Sequence, residues 1–129
     1  MKAHLRIAFP MDDLEKMIKF YCDGLDFEIL SSFEEHGGFN GIMLGHKNMS
    51  YHLEFTTNKN GIIDKRKSAE HLLVFYIPDK SEWQKYIDRL DTIGYASVKS
   101  VNPYWDIQGK TFSDPDGNRI VLQNDDWKG

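Results

Sequence analysis

The chain has 129 residues, 40% of them hydrophobic, and sets 16 Lys and Arg against 20 Asp and Glu for a formal net charge of −4. That length holds one domain with a single core, and the acidic balance excludes a nonspecific binder of nucleic acid or of an anionic membrane surface. The single cysteine, Cys22, makes neither an internal disulfide nor a multi-thiolate zinc site, and no long apolar run is present, which together point to a soluble protein of the reducing cytoplasm.

In chain order, a short apolar segment from Leu5 to Phe9 precedes the first helix signal, Asp12-Asp13-Leu14-Glu15. Asp12 is placed to accept from the free N–H groups of the first turn and Glu15 to reach back. Leu14, Met17, Ile18, Tyr21 and Leu25 then recur at helical spacing on one face, and Gly24 marks the stop. Three strand-like runs follow, Phe27 to Phe33, Phe39 to Leu44 and Tyr51 to Thr56, separated by glycine-containing turns.

After the polar stretch 58–68 the same order returns. Leu72 to Ile77 leads into a helix opened by Asp79-Lys80-Ser81-Glu82, carrying Trp83, Tyr86, Ile87, Leu90 and Ile93 and stopped by Gly94. The runs Tyr95 to Val101, Ile107 to Ser113 and Asn118 to Gln123 complete the chain, the last two joined by the turn Asp114-Pro115-Asp116-Gly117. The expectation is an α+β fold in one domain, 1–129, made of two tandem βαβββ modules, 1–57 and 69–129, with a 58–68 linker.

Alternation along Tyr51 to Thr56 assigns Tyr51, Leu53 and Phe55 to a helix-facing side and His52, Glu54 and Thr56 to the other. His4 and Arg6 share one face of the first strand, and an Arg6–Glu54 ion pair would neutralise the carboxylate without a metal. Tyr104 and Trp105, beside Asp106 in a proline-fixed segment, offer area for stacking a flat ligand. Cys22 reads as a packing residue, with no paired base nearby in sequence. There is no phosphate-cradling glycine loop, no Ser-His-Asp signature and no thiolate cluster.

Two segments carry a resemblance: Asp12 to Phe27, with its Asp-Leu-Glu-Lys-x-x-x-Phe-Tyr-x-x-x-Leu-x-Phe pattern, and Phe112 to Ile120, which contains Asp-Pro-Asp-Gly-Asn. With the βαβββ repeat, they resemble the vicinal oxygen chelate superfamily, which includes glyoxalase I, bleomycin-resistance proteins, fosfomycin-resistance enzymes and extradiol dioxygenases. The resemblance implies curved sheets forming a ligand cup with helices outside. It also implies a divalent metal held by one side chain from each of the first, fourth, fifth and eighth strands. Glu54 matches the fourth-strand carboxylate and His71 the fifth-strand histidine, one residue further from the following helix than usual. The first-strand position falls on Arg6 by helix spacing and on His4 by the internal repeat, and the eighth-strand glutamate is replaced by Val121.

Two functions stay open on this sequence. One is a small-molecule-binding protein with an incomplete metal site and no cofactor, its ligand met by Arg6, His52, Tyr104, Trp105 and Asp106. The other is a metal-dependent lyase, isomerase or dioxygenase acting on vicinal oxygens, with zinc, nickel or iron on Glu54, His71 and His4 and with Glu54 as its base. The resemblance further implies a homodimer, with a small molecule as the other expected partner.

Overall fold

The computed structural model describes residues 1–61, 64 and 66–128, so the expected linker lies partly outside the described residues. The chain divides into two units, Met1–Arg66 and Lys67–Gly129. Among the described residues no helix is long and apolar enough to cross a membrane.

The first unit runs β1 (Leu5–Pro10), α1 (Leu14–Ile18), β2 (Glu28–His36), β3 (Phe39–Gly45) and β4 (Tyr51–Asn58). Its sheet has the order β1-β4-β3-β2, with β1 parallel to β4 and the other pairs antiparallel. The α1 cap is Asp13, not the expected Asp12: Asp13 is the last extended residue, and its carboxylate accepts from the Lys16 N–H at 3.2 Å. Beyond Ile18 the helix continues as a π-helix, Lys19–Gly24, which sequence spacing did not anticipate. The wider turn carries Phe20 into the core beside Met17 and Tyr21, whereas Leu14 and Ile18 stay half-buried.

Strand facing follows the alternation. Leu53 and Phe55 are fully buried, the Phe55 ring lying 5.0 Å from that of Tyr21. His52, Glu54 and Thr56 point the other way, and ladder pairing sets Arg6 beside His52 and Met43 beside Glu54 on that face.

The second unit runs β5 (Leu72–Tyr76), α2 (Lys80–Thr92), a single 3-10 turn (Pro103–Asp106), β6 (Gly109–Ser113) and β7 (Arg119–Gln123) in a sheet of order β5-β7-β6. The α2 cap is the expected Asp79, accepting from the Glu82 N–H at 2.8 Å, and Gly94 ends the helix at φ +96°. Leu90 is fully buried, and the Trp83 indole donates to the Leu122 carbonyl at 2.8 Å. The Asp114 turn is fixed by its own carboxylate, which accepts from the N–H groups of Asp116 and Asn118 and from the Asn118 amide.

The strand expected at Tyr95 to Val101 is a correction: it survives as one bridge, Val98 with Thr111. Side chains take the backbone groups that a ladder would use. The Ser100 N–H donates to the Asp106 carboxylate at 3.2 Å, and the Lys99 carbonyl accepts from Arg119 at 3.2 Å. The second module thus keeps the βαβββ plan with its second strand reduced to that bridge.

Two glycines allow close packing, and they differ in what would resist a side chain. A Cβ on Gly41 would meet the Phe33 ring at 2.5 Å, whereas one on Gly109 would meet the Trp105 carbonyl at 2.6 Å as well as Gln123 Oε1 at 2.5 Å. A half-exposed ring can swing aside and a backbone carbonyl cannot. Gly109→Ala is therefore expected to cost about 1–3 kcal/mol and Gly41→Ala under about 1 kcal/mol, read as urea midpoints. Equal losses would show that the Trp105 carbonyl yields as easily as the ring.

Candidate functional site

The first unit gathers four of the predicted residues on the sheet face opposite the core. Parallel pairing of β1 with β4 sets Arg6 beside His52, and strand alternation puts Glu54 two residues on, on the same side. The Arg6 guanidinium donates from Nε to His52 Nε2 at 2.9 Å and from Nη1 to Glu54 Oε2 at 3.1 Å. His4 Nε2 lies 2.6 Å from His52 Nδ1. Arg6 and His4, the two first-strand candidates, both engage His52. The Arg6–Glu54 ion pair expected as a metal-free arrangement is present, with the carboxylate side chain 14% exposed and the guanidinium 50%.

The donors fix the tautomer. Nε2 of His52 must be a lone pair to accept from Arg6, so neutral His52 carries its proton on Nδ1 and donates it to His4 Nε2. Desolvation lowers the His52 pKa, the nearby Arg6 and His4 charges push the same way, and Glu54 opposes them.

These residues do not fit a metal ion. Glu54 Oε2 is taken by a guanidinium and both ring nitrogens of His52 are engaged. Among the described residues no group of three His, Cys, Asp or Glu side chains is placed to hold a metal. In the second unit, His71 is exposed and precedes β5, its N–H donating to the Ser68 carbonyl at 3.1 Å. In that ladder Val74 pairs with Val121, so Leu72, one residue after His71, occupies the strand position on Val121's face. Val121 itself is fully buried.

The aromatic segment of the second unit is a 3-10 turn capped by the Asn102 side chain, which accepts from the Tyr104 N–H at 3.0 Å. The Tyr104 and Trp105 rings pack edge to face at 4.9 Å, and Tyr104 remains exposed. Asp106 is spent on the Ser100 N–H but also borders an open cavity of about 310 Å³, with Ser97, Val98, Lys99, Gly109 and Lys110. Cys22 is half-buried, and burial together with the Asp23 carboxylate raises its thiol pKa, which disfavours the thiolate.

Sequence reasoning missed the floor beside Glu54. Met43 pairs with Glu54 across the β3–β4 ladder, flanked two residues away on each side by Gly41 and Gly45, with the Phe33 ring over Gly41. Glycines at alternate positions of a strand are the signal that could have found it.

The lowered His52 pKa has a definite sign. Between about 6.5 and the lower folded value the unfolded chain binds more protons. The contribution of His52 to stability is therefore present above about pH 6.5 and is lost as pH falls through the folded value. In an NMR titration His52 should carry Nδ1–H at neutral pH and titrate below an ordinary histidine. An Nε2–H tautomer would rule out the Arg6 hydrogen bond.

Comparison with known proteins identifies the family. The YycE-like N-terminal domain model matches residues 5–56 and the YycE-like C-terminal domain model residues 70–124. The uncharacterized protein YycE of Bacillus subtilis is 41% identical over 122 residues, covering 95% of this chain and 88% of that protein. A crystal structure of YycE, of unknown function and grouped with glyoxalase and fosfomycin-resistance proteins, matches with TM-score 0.89, covering 99% of this chain and 92% of that one. The trypanothione-dependent glyoxalase I of Leishmania major matches with TM-score 0.75 at 19% identity over 97% of this chain and 88% of that one. TnmS3, an antibiotic binding protein from Streptomyces, matches with TM-score 0.64 at 23% identity over 95% of this chain and 94% of its own. At those identities the last two show the fold alone. The chain belongs to the YycE-like family, within the vicinal oxygen chelate superfamily.

Proposed function

We propose that this protein binds a small organic molecule directly, without a bound metal, on the sheet face that carries Arg6, His52 and Glu54. The observation that carries the reading is the Arg6 guanidinium, hydrogen-bonded to His52 and Glu54 where the superfamily's metal would be ligated. A fixed cation there repels a second one and already neutralises the carboxylate. The polar cluster borders an apolar floor at Met43, the mixed lining that small-molecule sites use. An antibiotic-binding protein with the same fold supports the reading by analogy of fold.

Purified without a histidine tag, the protein should contain well under one equivalent of transition metal. A fragment screen by ligand-observed NMR on the metal-free protein should give hits that shift Arg6 and His52. Stoichiometric nickel, zinc or iron lost on Glu54→Ala, or hits that appear only after metal is added, would overturn the reading in favour of a metal-dependent enzyme.

Restoring a carboxylate at the eighth-strand position is not expected to restore metal chemistry. Val121 is fully buried, so Val121→Glu places an unpaired charge in the core and should cost about 3–5 kcal/mol, read as a lowered melting temperature. A Val121→Glu protein as stable as the parent, with a bound metal, would reverse that view.

The same reading takes the protein as a cytoplasmic homodimer, following the superfamily's use of symmetric pairs. Sedimentation at micromolar concentration should give twice the chain mass, and a monomer there would remove the dimer from the proposal.

A further inference from the structure

We propose that the open cavity of the second unit is a separate site, which takes the phosphate group of a small organic phosphate between Lys99 and Lys110. It stands apart from the sheet face that carries Arg6 and does not depend on what that face binds. The cavity, about 310 Å³, is lined by Ser97, Val98, Lys99, Asp106, Gly109 and Lys110, all of the second unit. It opens where the segment before the 3-10 turn leaves β6. The Val98 N–H donates to the Thr111 carbonyl at 2.7 Å. A continued ladder would next use the Ser100 N–H, but this goes to the Asp106 carboxylate instead, and the two chains part.

The register of the Val98–Thr111 bridge sets Lys99 opposite Lys110. Like charges so placed on neighbouring strands repel. Both lysines are exposed, and among the described residues neither ammonium forms an ion pair or a hydrogen bond. The carboxylate on the wall, Asp106, accepts from the Ser100 N–H through both oxygens, at 3.2 and 3.3 Å, and offsets only one of the two charges. Arg119 adds a third cation to the segment, its guanidinium donating to the Lys99 carbonyl at 3.2 Å. The wall therefore keeps a positive surplus that an anion relieves and a cation aggravates.

The lysines favour phosphate among anions. A phosphate monoester carries close to two charges at neutral pH, and lysine meets it as a point charge, without the planar fork that arginine offers a carboxylate. The Ser97 hydroxyl is a further donor on the same wall. A cavity of this size takes an organic body as well, and Val98, 37% exposed, gives that body an apolar contact. The site also lies off the superfamily's metal face, because Lys110 alternates with Thr111, the ladder partner of Val121.

Phenyl phosphate, benzoate and benzyl alcohol test the proposal on the intact protein, titrated at constant ionic strength while the Ser97, Gly109 and Lys110 amides are followed by NMR. Phenyl phosphate should shift all three saturably, benzoate should bind several-fold more weakly, and benzyl alcohol should leave them in place. Lys99→Gln and Lys110→Gln should each weaken phenyl phosphate roughly three- to tenfold, whereas Lys80→Gln, an exposed lysine of α2, should not. Phenyl phosphate should also raise the melting temperature of the parent and not that of the double variant. No saturable shift, or equal binding by the double variant, would overturn the site. Benzoate binding as tightly as phenyl phosphate would overturn the choice of phosphate, and benzyl alcohol doing so would overturn the anion.

Discussion

Direct binding on the first unit depends on one guanidinium held between two side chains of the strand beside it. Glu54 sits in the second strand of a four-stranded sheet with its side chain mostly withdrawn from water, and a carboxylate so placed needs a partner. Arg6 reaches it because β1 runs parallel to β4 in a register that sets residue 6 beside residue 52. The core holds that register. Leu53 and Phe55 are buried on the far side, Phe55 against Tyr21, and a slip of one residue would bury His52 and Glu54 instead. The polar cluster is therefore as fixed as the packing behind it, although the guanidinium is half exposed and its ion pair is screened.

The fold was legible where a local residue dictates local geometry. Asp79 caps its helix through its own carboxylate, and Asp114 closes its turn in the same way; both are short-range effects that spacing alone exposes. Where sequence reading failed, a distant group had intervened or the helix had changed its period. Tyr95 to Val101 has strand composition, but Asp106 and Arg119 take the backbone groups of Ser100 and Lys99, and neither interception is visible before the chain is folded. The π-helix moved Phe20 inward in a way that a 3.6-residue period does not contain.

The site was legible in part for the same reason. Alternation along β4 placed His52 and Glu54 on one face, and Arg6 was a candidate partner for the carboxylate. Position along the first strand does not by itself separate His4 from Arg6, since the two share one face. The structure gives each residue a different atom of His52, a relation that depends on pairing between residues more than forty positions apart. The offset noted at His71 has a structural counterpart, since the residue on Val121's face is Leu72. Leu72 and Val121, both apolar, therefore share one face of that sheet.

Arginine at position 6 is not a neutral absence of a metal ligand. Arg6 donates to Glu54, the carboxylate that matches the fourth-strand ligand, and to His52 beside it. The guanidinium is tethered to the chain, and its charge repels a second cation at that carboxylate. On the direct-binding reading proposed above, recognition on this face would rest on hydrogen bonding to fixed side chains rather than on Lewis acidity, which polarises whatever oxygen binds.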